Sequence, residues 1–140
     1  MLPCRLNDLS CYSMIEAASV AYVAPVSFYE ITQKHRLGKW PEFDPVIDRM
    51  LPLWRQHGTE LAPYTAEVAF LAGSMRWHHR DPFDRMIAAT AIALDCPVIS
   101  KDTAFDGLGG FPGWRGRIWD AAPGEAAQAL PKAFRQPLSD

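Results

Sequence analysis

Residues 81–94 decide the fold and read DPFDRMIAATAIAL. The stretch opens with Asp81 and Pro82, a helix start, because Asp is favoured at the N-cap and Pro at the first helical position. Residues 83–94 then give the clearest helical pattern in the chain. The short apolar run at residues 97–100 behind them is a strand candidate. This region therefore predicts a helix followed by a buried strand.

Helix and strand candidates alternate on both sides of this stretch. The other predicted strands are residues 20–23, 60–62 and 117–119. The other predicted helices are residues 10–18, a helix from Pro25 that stops before Gly38, a helix from Asp44 towards Gln56 with a break or kink at Pro52, and a helix capped by Thr65. Strands separated by helices predict an α/β fold with a central, mainly parallel sheet flanked by helices.

The composition is that of one folded domain. The chain has 140 residues, 49% of them hydrophobic, and a net charge of -2, which argues against intrinsic disorder and against binding nucleic acid by bulk positive charge. We expect one domain over residues 1–130 and a frayed C-terminal tail over residues 131–140. The longest apolar run, residues 86–94, is too short to span a membrane. Three cysteines without a CxxC pair are typical of a reduced, cytoplasmic protein.

Three acids lie where the predicted topology can bring them together. In parallel sheets the chemistry gathers beyond the carboxyl ends of the strands. Glu30 lies early in the helix after the first of these strands, and Asp102 follows the strand at residues 97–100. Asp84 lies at the start of the strongest helix. Because clustered carboxylates repel one another, we expect the pKa of at least one of them to be raised.

Each acid also has a structural explanation. Ser27-x-x-Glu30 is a capping box, and Glu30 with Lys34 is a favourable i,i+4 ion pair. Asp84 is an acid in the first turn of a helix, where the helix dipole favours it. Asp102 has the character of an ordinary turn residue. A structural α/β domain whose acids are merely helix caps therefore stays open as an alternative.

Half of the 14 basic residues flank the three acids in sequence. They are Lys34, Arg36, Lys39, Arg76, Arg80, Arg85 and Lys101. This distribution fits an anionic polymer held beside a carboxylate cluster, and it fits solvated helix faces equally well. The side chains of the adjacent pair His78 and His79 point in different directions, so we interpret them as surface or positioning residues rather than as a metal site.

Three blocks of sequence occur together, at residues 26–39, 79–91 and 98–105. In this order they resemble the PIN-domain proteins of the VapC toxin type. The middle block, which contains DPFDR, is specific to one branch of that family. The resemblance covers about residues 10–120 and implies a PIN-like three-layer α/β domain.

The resemblance further implies a Mg²⁺- or Mn²⁺-dependent endoribonuclease, the toxin of a type II toxin–antitoxin pair. Glu30, Asp84 and Asp102 match the family's second, third and fourth acids, which makes them the implied catalytic and metal-binding residues. Asp106 is the alternative to Asp102 under a small shift of the alignment. The residue types suit this chemistry, because Mg²⁺ takes oxygen ligands and a few carboxylates in an open cleft suit it.

The implied partners are an RNA substrate, a small antitoxin and a second copy of the chain in a homodimer. Phosphates of the RNA would be held by charge, and the candidates for this role are Lys34, Arg36 and Arg80. Single-stranded RNA is a more accessible target than double-stranded RNA, because its bases are not buried in a helix.

The chain departs from the family at its N-terminus. Members of the family begin with an apolar strand that ends in the first metal-binding aspartate, and nothing before Ser10 resembles it. Asp8 is the one acid there, and Pro3 interrupts a strand. We therefore expect an N-terminal truncation relative to the family. The alternative function is then a catalytically impaired PIN remnant that only binds an antitoxin or dimerises.

Overall fold

A computed structural model describes residue 18, residues 20–56 and residues 59–119. Asp8, the predicted tail over residues 131–140 and most of the predicted helix over residues 10–18 lie outside the described residues. Ala18, the last residue of that predicted helix, forms a β-bridge instead. None of the helices in the described ranges is long and apolar enough to cross a membrane.

Within the described ranges, the strands form two parallel pairs. These pairs are β1 (Ala21–Val23) with β2 (Thr59–Leu61), and β3 (Val98–Ile99) with β4 (Arg117–Ile118). In register, Val23 lies opposite Leu61 and Ile99 lies opposite Ile118. Two helices separate β1 from β2 along the chain, and a long crossover of this kind is what parallel pairing requires. The predicted α/β fold with parallel strands is confirmed.

Four α-helices lie in the same ranges: α1 (Pro25–Arg36), α2 (Met50–Gln56), α3 (Ala66–Ser74) and α4 (Pro82–Ala93). Short 3₁₀ segments cover Pro41–Phe43, Ile47–Arg49 and Thr103–Leu108. The predicted end of α1 is confirmed by Gly38, whose φ of 70° is a left-handed conformation that glycine adopts without steric strain. The predicted caps are confirmed as well: the side chain of Thr65 caps α3 and that of Asp81 caps α4.

The predicted helix from Asp44 to Gln56 is wrong in its first half. Residues 41–49 form two 3₁₀ turns, and the α-helix begins only at Met50. The Asp44 carboxylate contacts the ring of His35 at 2.5 Å and does not cap a helix. Pro52 consequently lies in the first turn of α2, where its missing N–H removes no helical hydrogen bond.

Helix α4 lies at the centre of the packing. Residues 87–91 are all buried, and Ala88 and Ala89 have 0% exposure. The buried apolar side chains around α4 are Ala24, Val68, Ala72, Met75, Val98, Phe105 and Leu108. Because alanine side chains are small, neighbouring backbones can approach α4 closely, and α3 packs directly on it. The first turn of α4, which carries Asp84, is therefore anchored to the core.

An apolar cavity lies between β1 and β3 and is bounded by α4. Its lining includes Tyr22 and Val23 from β1, Thr90 and Ala91 from α4, and Val98 from β3. Among the described residues, the two strand pairs are not hydrogen-bonded to each other. The chain leaves the carboxyl ends of β1 and β3 towards α1 and towards the loop at residues 100–102, respectively. These are the segments that carry two of the three predicted acids.

Candidate metal centre

Three side chains from separate parts of the described chain offer ligand atoms within 4.8 Å of one another. They are His79 in the loop before α4, Asp84 in the first turn of α4, and Asp102 after β3. Two carboxylates and one imidazole thus converge on one point. The structure therefore brings together two of the three predicted acids and adds a histidine.

The helix start places Asp84. The Asp81 carboxylate accepts a hydrogen bond from the Phe83 N–H at 2.8 Å and a longer one from the Asp84 N–H at 3.4 Å. Pro82 occupies the first helical position, so Asp84 is the third residue of α4, at the positive end of the helix dipole. Its side chain is buried, with the residue 7% exposed. Asp81 therefore caps the same helical turn from which Asp84 contributes its carboxylate to the cluster.

The electrostatic environment of Asp84 suits a bound cation. Burial raises the pKa of its carboxyl above the ordinary value, and the negative charges of Asp81 and Asp102 raise it further. The imidazole of His79, with Nε2 at 2.6 Å from Asp84 Oδ2, acts in the opposite direction. The expected rise of one pKa is thus confirmed, although burial is its largest cause. A divalent cation would favour the charged carboxylates.

Asp102 is held by the turn that follows β3. Its backbone N–H donates to the hydroxyl of buried Ser100 at 3.1 Å, and its Oδ1 accepts from the Ala104 N–H at 2.8 Å. It thereby caps the 3₁₀ segment Thr103–Leu108. The predicted turn role of Asp102 is confirmed. Because a carboxylate has two oxygens that can accept, this role is compatible with a place in the cluster.

Arg85 fixes the loop that carries His79. Its guanidinium donates hydrogen bonds to five backbone carbonyls, those of Ala72, Gly73, Met75, Trp77 and His79. These acceptors run from the end of α3 into the loop before α4, and the planar five-donor fork of arginine suits such a set. Arg85 thus ties both helices to the loop and directs His79 towards the first turn of α4.

A row of aromatic contacts joins the two sides of the cluster. The ring of Trp77 lies 4.8 Å from that of His79 and 5.7 Å from that of Phe105, tilted to both. Phe105 lies in the 3₁₀ segment that Asp102 caps, and it stacks on Trp114. A Cβ added to Gly107 would lie 3.1 Å from Trp77 Nε1, so this glycine keeps room for the Trp77 ring. The loop with His79 and the segment behind Asp102 are therefore packed as one unit.

His79 is the site residue that the sequence interpretation missed. The sequence pattern predicts His78 and His79 as surface or positioning residues, and His78 is indeed exposed. The sequence feature that could have identified it is its position. His79 lies two residues before Asp81, the cap of α4, and from there an imidazole can contact the first turn of the helix. The contact with Asp84 depends on Arg85 and Trp77, which local pattern does not specify.

Glu30 lies on α1 and does not belong to the three-residue group. The residue is buried at 6% exposure, and its carboxylate binds the ammonium of Lys34 at 2.5 Å. The predicted i,i+4 pair is confirmed. The predicted capping box is wrong, because α1 begins at Pro25 and Ser27 lies inside it. Since α1 packs against α4, the structure places Glu30 on a helix next to that of Asp84.

The predicted RNA-binding residues differ in their surroundings. The ammonium of Lys34 binds Glu30 and lies 4.4 Å from the ring centroid of Trp40. Arg36 and Arg80 are exposed and form no ion pair within the part of the chain that the structure describes.

Asp106 is the sequence alternative to Asp102, and it faces a different neighbour. Both of its carboxylate oxygens accept from the Arg117 guanidinium, at 3.0 and 2.9 Å. This hydrogen bonding lowers the pKa of Asp106. The geometry therefore favours Asp102 as the acid beside Asp84.

Comparison with known proteins gives the family. The sequence profile of the PIN domain matches residues 10–110. No curated protein and no solved structure matches the chain significantly. The matched residues are more than half of the chain and include the whole cluster, so the chain belongs to the PIN-domain family. PIN domains are generally nucleases and typically bind a divalent metal, and their three-layer α/β fold agrees with the helices and parallel strands found here.

Proposed function

We propose that this PIN-domain protein is a metal-dependent endoribonuclease and the toxin of a type II toxin–antitoxin pair. The observation that carries the proposal is the convergence of Asp84, Asp102 and His79 at the start of α4, within a domain of a nuclease family. The toxin role is supported by the resemblance of the three sequence blocks to the VapC type. The middle block contains both Asp84 and His79.

Two carboxylates and a histidine form a donor set that fits a divalent cation. Asp84 and Asp102 would hold Mg²⁺ or Mn²⁺ through oxygen. Glu30 is the third acid of the proposal, since its buried carboxylate lies on a helix packed against α4 and Lys34 balances its charge. When bound, such an ion lowers the pKa of a water and neutralises charge on a phosphate.

Other side chains of the protein position the metal ligands and bind the RNA. Asp81 and Arg85 hold the first turn of α4 and the loop before it, so that Asp84 and His79 keep a fixed separation. Arg36 and Arg80 are exposed and can bind phosphates of RNA, and Lys34 joins them when it leaves Glu30. Single-stranded RNA is the proposed substrate, because its bases are accessible.

The proposed partners are a small antitoxin and a second copy of the chain. Large apolar side chains that stay exposed support a protein-binding surface, and among them are Tyr29 at 58%, Tyr64 at 45% and Phe70 at 78% exposure. We place the activity in the cytoplasm, where RNA substrates occur. Cys96, the one cysteine among the described residues, is free there, which agrees with a reducing compartment.

A second candidate is a catalytically impaired PIN domain that only binds an antitoxin or dimerises. The observation that favours it is the position of Glu30, whose carboxylate is occupied by Lys34 and does not join the cluster. The capping bonds of Asp102 and the helical position of Asp84 would then be their whole role. This candidate predicts binding of a partner without cleavage of RNA.

The test is cleavage of a labelled single-stranded RNA by the purified chain in Mg²⁺ or Mn²⁺, with EDTA as the blank. We expect cleavage by the wild type and loss of cleavage in Asp84→Asn and Asp102→Asn. Asp95→Asn is the matched control, because Asp95 is exposed and binds Arg115 far from the cluster. Asp106→Asn should also cleave, since Arg117 engages that acid.

The outcomes separate the candidates. Equal cleavage by Asp84→Asn and wild type would contradict the proposed site. A wild type that binds the ion but leaves every RNA intact would favour the impaired domain.

A further inference from the structure

We propose that His79 is a nitrogen ligand of the metal centre and that it makes the centre select Mn²⁺ over Mg²⁺. This inference rests on the proposed function, which requires a divalent ion at Asp84 and Asp102. It extends that function by naming a ligand and the preferred ion.

The distances fit one shared ion. His79 Nε2 lies 2.6 Å from Asp84 Oδ2, and all three ligand atoms lie within 4.8 Å of one another. Two donors at about 2.1 Å from an octahedral ion lie about 3 Å apart when adjacent and about 4.2 Å apart when opposite. To bind the same ion, His79 Nε2 and Asp84 Oδ2 must separate by a few tenths of an ångström, and a pair of ligand atoms near the 4.8 Å limit must approach by about half an ångström.

The imidazole is held in place for this role. Its side chain is 28% exposed, and its ring packs on Trp77. Its backbone carbonyl accepts from Arg85 at 3.0 Å. His78, one residue earlier, is exposed and has none of these contacts among the described residues. The structure thus distinguishes the two adjacent histidines and directs only His79 to the carboxylates.

The donor chemistry decides between the two ions. Mg²⁺ is a hard ion that prefers oxygen ligands and keeps several waters. An imidazole nitrogen is a softer donor than oxygen. Mn²⁺ gains least from it among the first-row divalent metals, but Mn²⁺ accepts it more readily than Mg²⁺ does. A site of two carboxylates and one imidazole therefore gains affinity for Mn²⁺ from His79 and gains little for Mg²⁺.

The direct test is pulsed electron paramagnetic resonance of Mn²⁺ bound to the full chain. We expect the electron spin echo of the wild type to show modulation from a directly bound imidazole nitrogen. His78→Ala is the matched control and should keep this modulation. His79→Ala should lose it while Mn²⁺ stays bound to the carboxylates.

Calorimetric titration gives the second readout. We expect His79→Ala to weaken Mn²⁺ binding several-fold, and to change Mg²⁺ binding much less. His79→Asn keeps a polar group near Asp84 and should lose the Mn²⁺ preference in the same way. If His79→Ala does not fold, His79→Asn and the wild-type spectrum decide the question.

The outcomes distinguish this inference from the function on which it rests. Mn²⁺ that binds the wild type with no nitrogen modulation would overturn the ligand role of His79 and leave the nuclease proposal standing. Absence of any Mn²⁺ or Mg²⁺ binding would overturn both. Equal loss of Mg²⁺ and Mn²⁺ affinity in His79→Ala would show that His79 only positions Asp84.

Discussion

Asp84 is destabilising to the folded state at neutral pH. Burial and the charges of Asp81 and Asp102 raise its pKa above 3.8, its ordinary value. The native state therefore binds a proton at this carboxyl more tightly than the unfolded chain does. Through linkage, the contribution of Asp84 to the free energy of unfolding falls as the pH rises from 3.8 through the raised pKa.

Asp84→Asn removes this titration and keeps the size of the side chain. In the absence of divalent ions, we expect the variant to gain stability relative to the wild type as the pH rises from about 4 to 7. Urea unfolding at several pH values measures the difference. Asp106→Asn should show the opposite sign at lower pH, because the bond to Arg117 lowers the pKa of Asp106: the wild type should gain stability over this variant as the pH rises to about 4. A difference for Asp84→Asn that is constant with pH would contradict the argument.

Arg85 is the residue whose replacement should affect stability most. A lysine keeps the positive charge but cannot serve five carbonyls in one plane. We expect Arg85→Lys to lower the free energy of unfolding by roughly 2–4 kcal/mol, because several carbonyls lose their donor. Arg115→Lys is the control: Arg115 forms an exposed pair with Asp95, and its replacement should leave unfolding by urea unchanged. Equal effects of the two changes would contradict this role of Arg85.

For individual residues, the sequence shows which side chains are charged but not which of them contact one another. Asp84 and Asp102 are found by motif and by their place after a helix start and a strand. Glu30 is found as well, but its partner is the local Lys34, since an i,i+4 contact forms within one helix. His79 contacts Asp84 from a loop that Arg85 binds to the end of α3. That contact depends on how two helices pack, which no local pattern encodes.

Helix α4 depends on its cap, and the cap can be tested alone. We expect Asp81→Ala to lower the free energy of unfolding by about 1 kcal/mol, and Asp81→Ser to restore most of the loss. Thr65→Ala is matched to it, because Thr65 caps α3 through the Val68 N–H at 3.3 Å and that helix carries no ligand. Both alanine variants should lose stability in urea. Only Asp81→Ala should also reduce the stabilisation by Mn²⁺, and an equal reduction in Thr65→Ala would contradict a specific role for the start of α4.

The same cap signal succeeds at one element and fails at another. Asp81 and Pro82 begin α4 as predicted, because the Asp81 carboxylate is free to accept the first N–H groups. Asp44 and Pro45 present the same dipeptide, but the Asp44 carboxylate contacts His35, nine residues earlier. The helix then begins at Met50. A dipeptide predicts a helix start only where no tertiary contact competes for the side chain.

For the whole molecule, alternation of strands and helices predicts parallel pairing, and this holds for β1 with β2 and for β3 with β4. Among the described residues, the strands lie in two pairs with an apolar cavity between β1 and β3, an arrangement that the alternation of strands and helices does not specify. Strand neighbours are set by contacts between residues far apart in sequence, and local patterning carries no information on their order.

The proposed centre joins two segments of the described chain. Asp84 is fixed to α4, and Asp102 is fixed to the segment after β3, so an ion held by both would link the start of α4 to that segment. An ion that binds only the native state stabilises it by about 2.7 kcal/mol when present at about 100 times its dissociation constant. We therefore expect Mn²⁺ to raise the Tm by several degrees, and EDTA to reverse the rise.

Single variants show whether the rise comes from this centre. Neither acid alone can make the connection, so Asp84→Asn and Asp102→Asn should each abolish most of the Mn²⁺-dependent rise in Tm. Asp95→Asn should retain it, because Asp95 binds Arg115 on the exposed end of α4. Scanning calorimetry at increasing Mn²⁺ measures both the size and the concentration dependence of the shift. A rise of the same size in the double variant Asp84→Asn, Asp102→Asn would mean that the ion binds elsewhere, and the link between α4 and the segment after β3 would then rest on packing, which includes Val98 in the core around α4 and Trp77 against Phe105.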